Sequence, residues 1–357
     1  MKSFGSVTGF VLPDPKNRLL LWSVLILVSL ISGAYFVGNA FFAKEYKQRL
    51  ARWGLIHTMP HSKFNACKRQ CLPFGSEALP EGIIARTSNL EMRPLWDSGK
   101  DNRILKRPLN LLAMAVGLKQ KEIVNKIVEK FLSSGFVVML FHYDGFVDGW
   151  KSLAWSSCAI HRFLHPDIVA EYNYIFLWDE DLLVDNFDPK RYLSIVKEEG
   201  LEISQPALDP TKSEVHHPLT VHKAVSKVHR RYYKLKGSGR CDDKSTAPPC
   251  IGWVEMMAPV FSKKSWQCVW HLIQNDLIHA WGLDRQLGYC AQGDRMRNVG
   301  VVDSEYIAPS DSPGDNRAKV RMQSYIEMQV FGKRWKDAAE KDKCWIDPYE
   351  QANKTSH

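Results

Sequence analysis

The 357-residue sequence has no long block of lysine or arginine, although its formal net charge is +9 at pH 7. It also has no internal repeat and no low-complexity tract. Charge alone is therefore equally compatible with a nucleic-acid binder, a protein on an anionic membrane surface or a nucleotide-sugar enzyme. Hydrophobic residues make up 45% and charged residues 24%, a composition that favours a folded core over disorder.

A dinucleotide-binding fingerprint is also missing. The segment 237–241, GSGRC, lacks the third glycine, and the basic stretch HRRYYKLK precedes it where a strand would be required. A Rossmann oxidoreductase is therefore not supported. We also expect no nucleic-acid partner.

The closely spaced cysteines lack the C-x-x-C spacing of common zinc sites. Among the eight cysteines, the pairs Cys67/Cys71 and Cys241/Cys250 are instead compatible with disulfides in an oxidising compartment. The sequon at Asn353 points weakly to the same secretory environment. Disulfides are the favoured interpretation, and zinc is the weaker alternative.

Charged residues are absent from residues 19–43, LLLWSVLILVSLISGAYFVGNAFFA. At a rise of about 1.5 Å per residue, this run is long enough to cross a hydrocarbon core of about 30 Å. A buried soluble helix would show a polar stripe, and a cleaved signal peptide would have a shorter apolar run. We therefore predict one transmembrane helix that acts as an uncleaved signal anchor. The flanking Lys and Arg residues do not decide its orientation.

This span divides the chain into predicted segments. We expect a cytosolic tail at 1–18, the transmembrane helix at 19–43, a stem at 44–107, a folded domain at 108–349 and a C-terminal tail at 350–357. The cysteines and the sequon favour a single-pass protein whose C-terminal domain lies in the secretory lumen, which is a type II orientation.

Hydrophobic periodicity predicts the fold of the domain. Residues 109–117 form a continuous apolar run, as in a buried parallel strand, and a helical pattern follows until Gly135. Residues 136–145 and 174–178 read as further buried strands, and 262–277 as an amphipathic helix capped by Ser262. We predict an α/β sandwich with a mostly parallel central sheet, in which ligands bind outside the carboxyl ends of the strands.

One of these strands ends in three acids, in the stretch YIFLWDEDL. In extended chain, Asp179 and Asp181 point to the same face and Glu180 points away. Two such carboxylates suit a hard cation, Mg²⁺ or Mn²⁺, which can in turn hold a diphosphate. This is the logic of the D-x-D motif in metal-dependent glycosyltransferases.

Two other interpretations of the acids stay open. They can form a solvated turn after a strand. They can also belong to a haloacid-dehalogenase-like phosphatase with Asp179 as nucleophile. Such phosphatases usually carry Thr or Val where this chain has Leu183, and the GD-like segment 293–298 lacks a preceding apolar strand.

Further candidates lie in the C-terminal half. Asp284, in HAWGLDRQLGYC, is a candidate general base for an acceptor hydroxyl or, equally, a helix cap. Glu255 lies between apolar residues and is a candidate for binding a sugar hydroxyl or a backbone amide. A cluster of three histidines suits metal by residue type but more often forms a surface loop or part of an acceptor cleft: His216, His217 and His222.

A set of motifs resembles a plant family of unknown function labelled "lysine ketoglutarate reductase trans-splicing related". These motifs are LLAMAVGLKQKEIVNKIVEKFL, FHYDG, IFLWDEDL, ISQPALDP, EVHHPLT, VEMMAPVFSKKSWQCVWHLIQNDLIHAWGLD and FGKRWKDAAEKDKCWIDPY. The family is thought to resemble A-type nucleotide-diphospho-sugar transferases in type II membrane proteins. The resemblance implies metal binding by Asp179 and Asp181 and catalysis by Asp284.

A-type enzymes often place a metal-binding histidine near the C-terminal end. Here the corresponding stretch reads APSDSPGDNRAK, with no histidine. This departure predicts weaker metal binding, ligation by Asp303 or Asp311, or an inactive copy.

We therefore expect a Golgi glycosyltransferase that uses a divalent cation and moves a sugar from a nucleotide-sugar donor to a glycan or glycoconjugate acceptor. The expected catalytic residues are Asp284 and Glu255. Gly117 and Asp144, which end the first two strands, are expected to contact the donor. The alternative is an inactive glycosyltransferase-like lectin or scaffold protein. In either role the protein is expected in a complex with other Golgi transferases.

Overall fold

The structure, a computed structural model, describes residues 72–84, 109–156, 164–212, 215, 217–234, 240–310 and 317–350, together with Ser29. Apart from Ser29, these residues belong to one compact unit, residues 67–357. No helix in this described part is both long and apolar enough to cross a membrane. The predicted span at 19–43 lies outside it, except for Ser29, and stays a prediction.

The described part contains eight strands and four α-helices. The strands are β1 (Leu109–Val116), β2 (Val137–His142), β3 (Tyr172–Trp178), β4 (Leu182–Leu183), β5 (Ile203–Leu208), β6 (Val228–His229), β7 (Val260–Ser262) and β8 (Val299–Pro309). The helices are α1 (Lys121–Ser133), α2 (Pro189–Glu198), α3 (Lys263–Leu272) and α4 (Arg317–Lys341). Short 3-10 helices occur at Glu81–Ile83, Leu118–Gln120, Val147–Trp150 and Leu287–Cys290.

The strands form one sheet in the order β2-β1-β3-β7-β5-β8-β4, with β6 paired to β8. Strand β1 runs parallel to β2 and β3, and β5 runs parallel to β8. Because β7 is antiparallel to both β3 and β5, the five longer strands all share one direction. The three short strands β4, β6 and β7 run antiparallel, so the sheet is mixed. The mostly parallel sheet that we predicted describes only the five longer strands.

The beginning of the domain follows the predicted β-α-β order. Helix α1 ends at Ser133, and Gly135, the predicted stop, follows with a φ of +83°. The amide of Gly135 donates to Leu132 and that of Phe136 donates to Phe131, which is the Schellman arrangement for a helix end. The Ser262 side chain accepts from the amide of Ser265 and caps α3 as predicted, but α3 ends at Leu272, before the predicted end at 277.

Helices cover both faces of the sheet. Successive residues of β1 pack to opposite sides, as the alternation of a strand requires. Leu112 and Met114 join the cluster that contains apolar residues of α1 and α2, whereas Leu111 and Ala113 join the cluster that contains apolar residues of α3 and α4. Burying each large side chain in these clusters contributes about 1.5–3 kcal/mol. The result is a three-layer α/β/α sandwich that leaves the strand ends at its rim.

Residues 72–84, part of the predicted stem, pack within this unit. Leu79 and Ile83 are buried, and the Trp345 indole donates to the carbonyl oxygen of Ala78 over 2.9 Å. The domain boundaries at 107/108 and 349/350 stay predictions.

Candidate functional site

The chain reverses its strand order next to β1. Helix α1 connects β1 to β2 on one side, and β3 pairs with β1 on the other side. In open α/β sheets, ligands bind in the crevice beyond the carboxyl ends at such a switch point. Gly117 follows β1 directly and Asp179 follows β3 directly, so both flank this crevice.

The acidic triplet is held between two other parts of the sheet. The amide of Asp179 donates to the carbonyl oxygen of Met257 over 2.9 Å. The carbonyl oxygen of Asp181 accepts from the amide of Ser310, just beyond the end of β8, over 2.6 Å. Strand β3 ends at Trp178, and Glu180 and Asp181 lie in a bend, so the extended alternation that we assumed does not apply to them.

The acids of the triplet are desolvated and repel one another. Desolvation by the surrounding protein, followed by the charges of Asp181 and Glu180, raises the pKa of Asp179 to about 7. Desolvation also raises the pKa values of Glu180 and Asp181. No Lys or Arg within the described ranges forms an ion pair with Asp179 or Asp181. These carboxylates are therefore available to a cation.

The donor set fits a cation that is shared with a ligand. No group of three His, Cys, Asp or Glu side chains that could hold a metal occurs among the residues described. Mg²⁺, however, is usually bound through one or two carboxylates together with water and substrate phosphates. Asp179 and Asp181 match that kind of site better than a site closed by protein ligands alone.

The middle acid binds a tyrosine that the sequence interpretation missed. The Tyr143 hydroxyl donates to Glu180 Oε1 over 2.9 Å. The ring of Tyr143 also covers Gly117, where an added Cβ would lie 2.3 Å from the tyrosine oxygen. The sequence signal for this contact was the aromatic residue that follows β2, in the stretch FHYDG. Tyr143 thus connects the ends of β1, β2 and β3.

Asp144 organises the neighbouring loops. Its Oδ2 accepts from the amide of Leu118 over 2.8 Å, and its Oδ1 accepts from the amide of Phe146 over 3.0 Å. These two backbone bonds lower the pKa of Asp144, that to Leu118 most strongly. Gly117 and Asp144 therefore meet at the switch point, where Asp144 binds the turn after β1. These are the two residues that we predicted to contact the nucleotide-sugar donor.

Glu255 belongs to the segment that binds the acidic triplet. Glu255 lies two residues before Met257, whose carbonyl oxygen accepts from the amide of Asp179. Two residues span at most about 7 Å of chain. Its side chain is 12% exposed, and its Oε1 accepts from the Thr220 hydroxyl over 3.3 Å. The Oε2 atom is buried without a hydrogen-bond partner. Burial, with a smaller contribution from the charge of Asp284, raises the pKa of Glu255 to about 7.

Asp284 is brought near Glu255 from 29 residues further along the chain. Its Oδ2 accepts from the Trp253 indole over 3.0 Å, and its Oδ1 accepts from the amides of Gly282 and Arg285 over 3.1 and 2.9 Å. Burial raises the pKa of Asp284, and these donors oppose the rise. The cap that we considered for Asp284 is instead a set of turn bonds, because Gln286 precedes the short 3-10 helix.

The histidine cluster divides between two places. His217 packs edge-on against Trp253 at 4.5 Å, and its Nε2 lies 3.9 Å from Glu255 Oε1. His222 instead stacks on Tyr306 and contacts Asp303. His216 lies outside the described residues. The Glu255–Asp284 pair is therefore surrounded by three further side chains: His217, Thr220 and Trp253. The sequence did not predict this cluster, because its members lie far apart along the chain.

Asp303 does not join the acidic triplet. It is buried, accepts from the amide of Lys223 over 2.8 Å and lies 3.2 Å from His229 Nε2. Pro206 and Ala207 pair with Val302 and Tyr306, so residues 303–305 bulge out of β8. The remaining strand to Ser310 separates Asp303 from Asp181 by more than about 10 Å. Asp303 is thus not the substitute metal ligand, and Asp311 lies outside the described residues.

The phosphatase interpretation also loses its second motif. Asp294 in the GD-like segment precedes β8, at the amino end of the parallel strands. Asp179 lies at the carboxyl end of β3, on the opposite edge of the sheet. The two acids therefore do not share a site.

A family model described as "Protein of unknown function (DUF707)" matches residues 70–341, more than half of the chain. Among curated proteins there is no significant match.

Solved structures show distant similarity. One is S. aureus TarS 1-349 in complex with UDP-GlcNAc, at a TM-score of 0.38 and 6% identity over 64% of this chain and 66% of that chain, just under two thirds of its length. A second is S. aureus TarS 1-349 in complex with UDP, at a TM-score of 0.38 and 8% identity over 65% of this chain and 71% of that chain. A third is the galactosyltransferase LgtC in complex with donor and acceptor sugar analogs, at a TM-score of 0.30 and 9% identity over 62% of this chain and 95% of that chain.

Proposed function

Because the chain belongs to the DUF707 family of proteins of unknown function, we propose its activity from the site itself: transfer of a sugar from a nucleotide-sugar donor to a glycan acceptor. The observation that carries this proposal is the convergence of Gly117, Asp144 and the triplet that begins at Asp179 on the switch point between β1 and β3. The segment that carries Glu255 binds this triplet through Met257, and Asp284 lies near Glu255.

On the donor side, the nucleotide diphosphate occupies the crevice flanked by Gly117 and Asp179. Asp144 fixes the turn after β1 by accepting from the amide of Leu118. Asp179 and Asp181 would hold Mg²⁺ or Mn²⁺ jointly with the diphosphate. When bound, such a cation supplies positive charge that neutralises the leaving phosphate.

On the acceptor side, we assign Glu255 as the general base. During transfer, the bond between the sugar carbon and the diphosphate oxygen breaks, and its electron pair leaves with the phosphate. The acceptor oxygen bonds to the same carbon and passes its proton to Glu255. A carboxyl group whose pKa is raised to about 7 is well matched to that task near neutral pH.

Asp284 then has a different role from the one expected. Its two oxygens are already engaged by three N–H donors, so it has less capacity to take a proton. Its bond to the Trp253 indole holds that ring, against which His217 packs. We assign Asp284 as a positioning residue for the acceptor side of the cleft.

The decisive experiment measures nucleotide-sugar hydrolysis and transfer by the purified full chain, with a panel of UDP- and GDP-sugars and Mn²⁺ or Mg²⁺. We expect one donor to be turned over, with loss of turnover in Glu255→Gln and Asp181→Asn. Asp148→Asn, which removes an exposed acid at 87% side-chain exposure, is the matched control. If a donor binds but is never turned over, the protein is an inactive binding relative. If no nucleotide binds, both interpretations fail.

We further propose a type II orientation in the Golgi membrane, with the domain in the lumen. The disulfides Cys241–Cys250 and Cys268–Cys290 support an oxidising compartment. Cys344 is also disulfide-bonded, whereas the predicted pair Cys67/Cys71 lies outside the described residues. Protease protection of the domain in intact microsomes tests this orientation, and cleavage of the domain without detergent would exclude it.

A further inference from the structure

Glu255, which we assign as the general base, has little direct contact with water. Its side chain is 12% exposed, and its Oε2 atom is buried without a hydrogen-bond partner among the described residues. A general base receives one proton in each turnover and has to release it before the next. A neighbouring group that takes this proton would make its release independent of direct contact between Glu255 and solvent.

His217 is placed to be that group. Its Nε2 atom lies 3.9 Å from Glu255 Oε1, and in the described part of the chain no other basic side chain forms an ion pair with Glu255. The distance is longer than a hydrogen bond, so a proton crosses it through one water molecule or after a small rotation of either side chain. An imidazole takes up and releases protons near neutral pH, whereas Thr220 and Trp253 beside it do not.

The imidazole lies between Glu255 and solvent. The side chain of His217 is 43% exposed, against 12% for Glu255. Its ring is held in place because it packs edge-on against the Trp253 indole, with ring centroids 4.5 Å apart. The Trp253 indole in turn donates to Asp284 Oδ2 over 3.0 Å. Protein therefore closes one side of the Glu255–His217 pair, and the imidazole forms its open side.

Thr220 suits a carboxyl group that gains and loses a proton. Its hydroxyl oxygen lies 3.0 Å from the carbonyl oxygen of His217 and 3.3 Å from Glu255 Oε1. A hydroxyl has one hydrogen to donate and can also accept. It can donate to ionised Glu255, or donate to the His217 carbonyl oxygen and accept from protonated Glu255. Both protonation states of Glu255 therefore find a partner in Thr220.

The charges around the pair favour an easy exchange of the proton. Burial, and to a smaller extent the charge of Asp284, raises the pKa of Glu255 to about 7. Imidazole groups titrate in the same range. A proton passes between two groups of similar pKa at little cost in free energy.

We propose that His217 is the proton relay of the acceptor side: it takes from Glu255 the proton of the acceptor hydroxyl and gives it to water. The inference rests on the proposed function, since the acceptor supplies the proton. Once the acceptor oxygen has bonded to the sugar carbon, Glu255 is a neutral carboxylic acid. Its proton moves to the unprotonated Nε2 of His217, which leaves a carboxylate and an imidazolium. The imidazolium then loses one proton to water, so both groups return to their starting states.

Removal and chemical replacement of the imidazole test the relay. With a donor and acceptor that the native chain turns over, His217→Ala should lower kcat several-fold in weakly buffered medium and leave KM for the donor unchanged. Imidazole added to the medium should restore kcat as its neutral fraction rises with pH. Pyrazole has the same shape but is too weak a base to take the proton, so it should restore nothing. Equal rescue by pyrazole would overturn the proposal, because His217 would then only fill space.

A histidine in similar surroundings provides the matched control. His165 also packs edge-on against a tryptophan, Trp270, and its Nδ1 lies 3.8 Å from the carboxylate of Asp167. His165→Ala should keep the native kcat and should not respond to imidazole. Loss of turnover in His165→Ala equal to that in His217→Ala would attribute the effect to lost packing and overturn the relay.

Two further variants separate the relay from the reaction that it serves. His217→Gln keeps a polar side chain against Trp253 and should show the same fall in kcat as His217→Ala. Glu255→Gln should not respond to imidazole, because it passes no proton on. Native kcat in both His217 variants overturns the relay alone. Absence of turnover by the native chain with every donor overturns the proposed function, and the relay with it.

Discussion

The hydroxyl of Tyr143 donates a hydrogen bond of 2.9 Å to Glu180, the middle acid of the triplet after β3. The tyrosine can reach this acid only because its ring lies over Gly117, which has no side chain. A residue at the end of β2 thus contacts the loop after β3 across the end of β1.

We expect Gly117→Ala to displace this tyrosine. Gly117 has φ −131°, which alanine adopts readily, so the substitution acts through the added Cβ and not through backbone strain. Affinity for the nucleotide diphosphate should fall several-fold while the melting temperature changes little, because the exposed ring can move aside. Titration of Trp fluorescence with UDP or GDP and Mn²⁺ measures this, since Trp178 adjoins Asp179.

The control is Gly332→Ala in α4, where an added Cβ meets nothing within 4 Å. This variant should bind nucleotide normally and be as stable or slightly more stable, by up to about 1 kcal/mol. Equal affinities for all three proteins would show that Tyr143 and Gly117 are not part of the nucleotide site.

Asp181→Asn should separate stability from metal binding. Without divalent cations, removing one of three neighbouring carboxylates relieves repulsion and should raise the free energy of unfolding, by less than about 1 kcal/mol. Added Mn²⁺ should stabilise the native chain but not the variant, since ligands stabilise only the state that binds them. Thermal unfolding in EDTA and in Mn²⁺ gives both quantities. Asp185→Asn, at an exposed acid, should respond to Mn²⁺ like the native chain, and an equal response of Asp181→Asn would contradict the metal site.

Glu255 should make stability depend on pH in a defined direction. Its pKa is raised in the folded state from 4.5 to about 7, so the stabilisation from the neutral form is complete below about pH 4.5. Between pH 4.5 and 7 the unfolded chain loses this proton first, and stability falls as pH rises. Relative to Glu255→Gln, the native chain should therefore lose about 1–3 kcal/mol between pH 5 and 8.

Urea unfolding at several pH values measures this difference. Glu198→Gln, at a side chain that is 63% exposed, is the control and should not reproduce it. A stability difference between the native chain and Glu255→Gln that stays constant from pH 5 to 8 would show that Glu255 is not desolvated as the structure implies.

Asp303→Asn should act as a structural change and not as loss of a metal ligand. The buried carboxylate lies 3.4 Å from His222 Nδ1 and 3.2 Å from His229 Nε2, so removing its charge should cost about 2–4 kcal/mol. Amide hydrogen exchange in residues 217–229 should increase, whereas stabilisation by Mn²⁺ should match that of the native chain. Ser304→Ala, at an exposed position of the same bulge, should change neither. Loss of the Mn²⁺ effect in Asp303→Asn would place the metal near β8 instead.

The sequence by itself determined the elements that form from local patterns. Continuous apolar runs predicted β1, β2 and β3, helical spacing predicted α1, and Gly135 and Ser262 marked a helix end and a helix start that the structure confirms. The apolar run that predicted β3 also placed Asp179 and Asp181 just beyond the end of that strand. These features depend on neighbouring residues, and a single sequence contains that information.

The tertiary structure alone decided which distant residues meet. Strands β4, β6 and β7 have only two or three residues, too few to show a period, and their pairing makes the sheet mixed. The bulge at 303–305 keeps Asp303 away from the acidic triplet, and Trp253 contacts Asp284 across 31 residues. Such contacts depend on chain path and packing between elements, which leave no period in the sequence. The positions of the acids in the sequence were therefore predictable, but the residues that contact Glu255 and Asp284, on which their proposed roles rest, were not.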